Sequence, residues 1–115
     1  MATRTPTRTE PTNNSMLHTW TGMLNGDDGS VEAMMSTGDR CVQVLGTFGV
    51  GGTVVVEGSL DGANWFQLRD PSSTLLSFTA AGGKAVLEAV THCRPRITAG
   101  DGTTSLSILI STRRG

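Results

Sequence analysis

Residues 57–68 read EGSLDGANWFQL, and the fold follows from how this stretch is taken. It closes a valine-rich run, TVVVEGSL (53–60), which sets Val54, Val56, Gly58 and Leu60 on one side and Val55, Glu57 and Ser59 on the other. A period of two is the signature of a strand with one buried face. Asp61-Gly62 then offers the positive-φ geometry of a hairpin turn, Ala63-Asn64 lengthen the loop, and Trp65 begins the return run WFQLRD (65–70). On this reading Trp65 packs across from Leu60 or Val56, in the core or at an interface. A competing reading makes Trp65 an exposed platform on which a sugar ring stacks.

The same pattern extends in both directions. LHTWTGM (17–23), RCVQVLGTF (40–48) and SLSILIST (105–112) alternate, the last with Leu106, Ile108 and Ile110 inward. SVEAMM (30–35), LLSFTA (75–80) and CRPRITAG (93–100) are shorter strand-like runs, and Pro95 puts the last near an edge or a bulge. KAVLEAV (84–90) suits a helix as well as a strand. Turn clusters NGDDGS (25–30), STGD (36–39), GVGG (49–52) and AGDGTT (99–104) separate the runs. Eight or nine short strands at this spacing predict an all-β chain, a single antiparallel β-sandwich of jelly-roll type over residues 16–115. Residues 1–15, MATRTPTRTEPTNNS, have no large apolar residue after Met1 and form an extended arm, expected to lie on a neighbouring subunit.

Composition narrows the function. The chain has 115 residues with fifteen glycines, no tyrosine, and a net charge of −1. A chain of this mass buries about 65% of its unfolded surface, enough for one modest core. Near-neutral charge gives no field for nucleic acid or an anionic membrane. No apolar run approaches a membrane span and no signal-peptide core stands at the start, so the chain is expected to be made in the cytoplasm. Cys41 and Cys93 both sit in apolar strand-like runs, and spacing leaves open whether they pair.

Catalytic chemistry is sparse. His18 and His92 have no Cys, His or Asp at metal spacing, and no nucleophile elbow, phosphate loop or CxxC occurs. Asp27, Asp28, Asp39, Asp61, Asp70 and Asp101 lie in or beside turns, where Asx hydrogen bonding explains them. NGDDGS resembles part of a calcium loop but lacks its terminal bidentate Glu. No cofactor or metal is expected, and neither is enzymatic activity. Trp20 and Trp65 are the candidate ligand platforms.

Residues 59–65 are similar to the Asp-box hairpin of sialidase-like propellers, S-x-D-x-G-x-T-W. They lack one residue before Gly62, carry Asn64 for Thr, and occur once, whereas a propeller repeats its blade. A second resemblance spans residues 40–114. The V-x-G-S-x-D-G-x-N-W strand end, the run Arg94-Pro95-Arg96-Ile97-Thr98-Ala99-Gly100-Asp101-Gly102-Thr103-Thr104, and the alternating last strand look like small proteins encoded beside the major capsid gene of tailed bacteriophages. That resemblance implies a capsid decoration (cement) protein: a virion component on the outer shell, itself a dimer or trimer, that staples neighbouring major capsid proteins. It implies attachment through the arm and chain ends, with Arg4, Thr5, Pro6, Arg8, Pro11, Arg113 and Arg114 as candidate contacts, because arginine pairs in bidentate fashion with carboxylates. A receptor- or carbohydrate-binding module and a neck or tail-completion protein are the alternative expectations.

Overall fold

A computed structural model of the chain describes residues 3–10, 15–30, 32–33, 40–88 and 90–113. Among these residues there is no helix, and two sheets pack face to face as a jelly-roll-like sandwich. In chain order the strands are β1 (Thr3–Arg4), β2 (Thr7–Thr9), β3 (Ser15–Met23), β4 (Asp28–Gly29), β5 (Glu32–Ala33) and β6 (Arg40–Thr47). They continue with β7 (Thr53–Ser59), β8 (Phe66–Gln67), β9 (Ser77–Phe78), β10 (Gly82–Ala85), β11 (His92–Ala99) and β12 (Ser105–Arg113). One sheet has the order β10-β6-β12-β3-β2. The other runs β1-β4-β11-β7-β8, with β5 also on β11 and β9 also on β7.

The alternation read from the sequence decides which residues meet between the sheets. Val42 and Val44 of β6 and Leu106, Ile108 and Ile110 of β12 face inward from one sheet, all at most 1% exposed. Val54 and Val56 of β7 and Cys93 and Ile97 of β11 face them from the other. Trp20 of β3 is wholly buried in this layer. Leu68 and Val90 close over β7 at Gly58, where an added Cβ would lie 2.6 Å from Leu68 and 2.7 Å from Val90. A glycine is required there because the neighbouring side chains occupy the space of its missing one.

Several expectations change. The strands number more than eight or nine, because the arm and the short segments after β3 and β7 each pair locally, and β1 runs parallel to β4. Leu60, expected inward, is 70% exposed because β7 ends at Ser59 and the chain has already turned. In KAVLEAV the strand ends at Ala85, so residues 86–88 continue without regular structure. Pro95 sits in a strand flanked on both sides. On one side its neighbours Arg96 and Cys93 pair with Asp28 of β4 and Glu32 of β5, and Gly29 of β4 leaves the space that the Pro95 ring occupies. A register shift follows at Ile97/Ala99. The cysteines do not pair: Cys41 is on the outer surface and Cys93 in the core, where burial pushes its thiol up to about 11. The runs SVEAMM and STGD fall largely outside the described residues.

The arm is extended, as expected, but its described part lies on its own domain. Thr3–Arg4 extends one sheet beside β4, Thr7–Thr9 extends the other beside β3, and Thr5-Pro6 carries the chain between the two.

Replacing the buried indole tests the core directly. Trp20→Ala is expected to cost about 3–5 kcal/mol, read as a lower midpoint in urea with little change in slope. A loss below about 1 kcal/mol, the range of surface substitutions, contradicts the packing described.

Candidate functional site

The candidate contacts at the two chain ends do not share one environment. Arg4 is already engaged within the domain: its Nε donates to Asp27 Oδ2 at 2.8 Å, and that carboxylate is 5% exposed. Asp27 also accepts the backbone N–H of Leu24 at 2.9 Å, so the arm supplies the cation for a buried turn. Arg8 and Thr5 are exposed and Pro6 is half-buried. Pro11 and Arg114 lie outside the described residues, and Arg113 is placed by its backbone alone, paired with Ser15. Among the described residues, Arg4 and Arg8 lie on different sheets, beside β4 and β3 respectively. The structure removes Arg4 from the exposed set, because a buried carboxylate holds it.

The two signature turns are closed polar units. Ser59 Oγ donates to Asp61 Oδ1 at 2.8 Å and accepts the N–H of Gly62 at 2.9 Å. Asp61 Oδ1 also accepts the N–H groups of Ala63 and Asn64, each at 2.8 Å, and Asn64 Nδ2 donates to Oδ2 at 2.7 Å. Gly62 has φ +77°, the left-handed geometry expected of it. These donors, the Asn64 N–H first, hold the Asp61 carboxyl well below the usual range. At the other end of the sandwich, Asp101 accepts the Thr103 hydroxyl at 2.6 Å, the Val50 N–H at 2.9 Å and the Thr103 N–H at 2.8 Å. Its carboxyl falls to about 2 for that reason. Thr104 donates to the Phe48 carbonyl at 2.7 Å, joining loops 48–53 and 99–105. Asp70, whose carboxyl is lowered first by the Thr74 N–H, closes a third turn. These acids build loops, which is the role their turn positions suggested.

The tryptophans separate. Trp20 is fully buried beside His18, ring centroids 6.3 Å apart, and its indole N–H meets no acceptor among the described residues. As a ligand platform Trp20 is therefore excluded. Trp65 is neither core nor a bare platform. It is half-buried on the outer face, where the Arg94 guanidinium lies 4.3 Å from its ring centroid. Arg94 also donates from Nε to Glu57 Oε1 at 3.0 Å and stands 3.8 Å from Asp28, while Arg96 stands 3.9 Å from Glu57. Sequence reading missed this ion-pair network. The signal was present in the period of two, which puts Arg94 and Arg96 outward on β11 opposite Glu57 and Val55 of β7. Neither histidine joins a metal site: among the described residues, no group of three or more His, Cys, Asp or Glu comes together.

No family model and no curated protein matches the chain. Similar solved structures include protein NMB1881 from Neisseria meningitidis, at 11% identity and TM-score 0.46, covering 95% of this chain and 82% of that one. KdgF from Halomonas sp. is similar at 13% identity and TM-score 0.48, with 96% and 78% covered. A sugar phosphate isomerase from a cupin superfamily, from Silicibacter pomeroyi, is similar at 10% identity and TM-score 0.47, with 90% and 54% covered. The likeness is one of fold alone. It assigns no activity to this chain; the expectation that the chain is not an enzyme is nevertheless withdrawn, because the lack of a familiar catalytic motif does not exclude catalysis.

Two outcomes follow. In the unfolded chain the Asp101 carboxyl returns to about 3.8, above its folded value of about 2. Its contribution to stability is thus complete above about pH 4 and lost as pH falls toward 2. Melting temperature should drop across that window, and Asp101→Asn should lower it at pH 7 while flattening the drop; an unchanged acid profile contradicts the assignment. For the tryptophans, acrylamide should quench Trp65 emission and spare that of Trp20, measured in Trp65→Phe and Trp20→Phe variants.

Proposed function

We propose that the chain is a virion structural protein that binds the outer surface of a tailed-phage capsid and staples neighbouring major capsid proteins. The sequence resemblance over residues 40–114 supports this reading, and one feature of the fold supports it independently. Among the described residues, strand β2 ends the five-stranded sheet, pairs only with β3, and is exposed along all three residues, Thr7-Arg8-Thr9. Its outer edge presents backbone N–H and C=O groups beside an exposed arginine. A strand or extended loop of a capsid subunit can add to that edge, gaining main-chain hydrogen bonds. Such a contact needs rigid loops and an open edge, and the turns at Asp61, Asp70 and Asp101 supply the rigidity.

Docking of the arm on its own sheets alters how attachment is tested. Deleting residues 1–15 would strip an edge strand from each sheet and leave Asp27 without Arg4, so a point variant is the informative one. Purified protein is mixed with heads assembled from the major capsid protein, and bound copies are counted after sedimentation. Many copies per head are expected, with occupancy lowered by Arg8→Glu, its melting temperature being measured in parallel to separate loss of a capsid contact from loss of a contact within the domain. No binding, or a few copies at a single vertex, overturns the proposal, the latter in favour of a neck protein.

A further inference from the structure

Four Asx-Gly pairs stand in the described loops and turns: Asn25-Gly26, Asp28-Gly29, Asp61-Gly62 and Asp101-Gly102. In such a pair the chain can react with itself. Glycine has no Cβ to hinder its own nitrogen, which can reach the preceding side chain's Cγ and close a five-membered imide. Three things decide whether it does: the leaving group on Cγ, what holds the side chain, and what holds the glycine N–H. The structure blocks three of the pairs. Asp61 is held by the N–H groups of Ala63 and Asn64, and the Gly62 N–H is spent on Ser59 Oγ at 2.9 Å. Asp101 is held by Val50 and Thr103. Asp28 accepts the Thr3 hydroxyl at 2.8 Å, and Gly29 lies in β4, paired with Arg4. A carboxylate is moreover a poor electrophile. Asn25-Gly26 differs in each respect. Its side chain is an amide, exposed, and held by one contact, Nδ2 donating to the Gly100 carbonyl at 3.2 Å. The turn around it closes with the Asp27 N–H on the Leu24 carbonyl at 3.0 Å, and Gly26 has φ +86°. Among the described residues the Gly26 N–H reaches no acceptor, and nothing lies within 4 Å of where a Cβ on Gly26 would stand. Nucleophile and water both have an open approach.

We propose that Asn25-Gly26 is a site of spontaneous covalent modification that loosens the loops it joins. The Gly26 nitrogen gives up its proton and attacks Asn25 Cγ; the new C–N bond forms as the Cγ–Nδ2 bond breaks and ammonia leaves. Water then opens the imide at either carbonyl, leaving aspartate or isoaspartate, with no change of oxidation state. The consequence follows from what Asn25 holds. Its contact with Gly100 ties turn 24–27 to loop 99–105, and the same turn carries Asp27, on which Arg4 anchors the arm. In the aspartate product an oxygen takes the place of Nδ2 and faces the Gly100 carbonyl, acceptor against acceptor. In the isoaspartate product the main chain of the turn gains a methylene. Either product breaks the tie and adds a negative charge two residues from Asp27. The site is independent of capsid attachment, which the head-binding experiment tests separately.

The test ages the purified chain in warm, mildly alkaline buffer, which favours the deprotonated nitrogen. Peptide mass spectrometry then locates each exchange of amide for acid, with electron-transfer fragmentation to separate aspartate from isoaspartate. The chain's other asparagines are Asn13, Asn14 and Asn64. Asn13 and Asn14 lie outside the described residues and precede Asn and Ser, whose Cβ hinders attack, while Asn64 is held on Asp61. Residue 25 is expected to convert first, to both isomers, with the other three intact when half of Asn25 has reacted. Asn25→Gln keeps the amide but would need a six-membered imide, so it should gain no acid at this position. The melting temperature should fall by a few degrees in the aged wild type and in fresh Asn25→Asp, as expected for loss of one exposed hydrogen bond. It should hold in aged Asn25→Gln. Conversion that begins at another asparagine overturns the proposal. So does a melting temperature that conversion of Asn25 leaves unchanged, or an equal fall in aged Asn25→Gln.

Discussion

The apolar layer shared by the two sheets is the constraint on which the rest depends. Val42, Val44, Leu106, Ile108 and Ile110 can be buried only if Val54, Val56, Cys93 and Ile97 cover them. Burial of each such side chain is worth about 1.5–3 kcal/mol relative to exposure. Because side chains alternate along a strand, fixing the inward set also fixes the outward one. The outward set is then free to differ between sheets. One face became an ion-pair and cation–π network around Arg94, the other a field of Thr, Ser and Leu.

A two-sheet sandwich also leaves strand edges with unpaired backbone groups. Here the beginning of the chain covers one edge of each sheet, crossing between them at Thr5-Pro6. Arg4 anchors the crossing on Asp27, a buried carboxylate that receives this cation and the Leu24 N–H. The edge problem is thereby moved outward to β2, whose three exposed residues include Arg8. An arm that appears from composition to need a partner molecule finds much of that partner in its own sheets.

The loops owe their shape to carboxylates rather than to packing. Asp61 and Asp101 each gather several donors from their own or an adjoining turn, which keeps them ionised and the loops defined. Trp65 follows the first of these turns and has the Arg94 guanidinium over its ring, so the aromatic ring becomes part of the charged face. The same letters that suggested a sugar platform form a hairpin whose tryptophan is capped by a guanidinium.

Local rules carried a large part of this from the sequence alone. The period of two in TVVVEGSL, RCVQVLGTF and SLSILIST determined the class, the sandwich, and most of the core, and the Asp-Gly pairs determined where turns fall. Both depend only on neighbours a few residues apart. Tertiary structure decided what depends on which strands become neighbours. Leu60 points outward because β7 has already ended, Pro95 is accommodated inside a sheet because Gly29 of β4 leaves room for its ring, and Trp20 rather than Trp65 fills the core. The arm's docking on both sheets and Arg4's capture by Asp27 are likewise set by pairing between residues distant in the chain, which no local periodicity encodes.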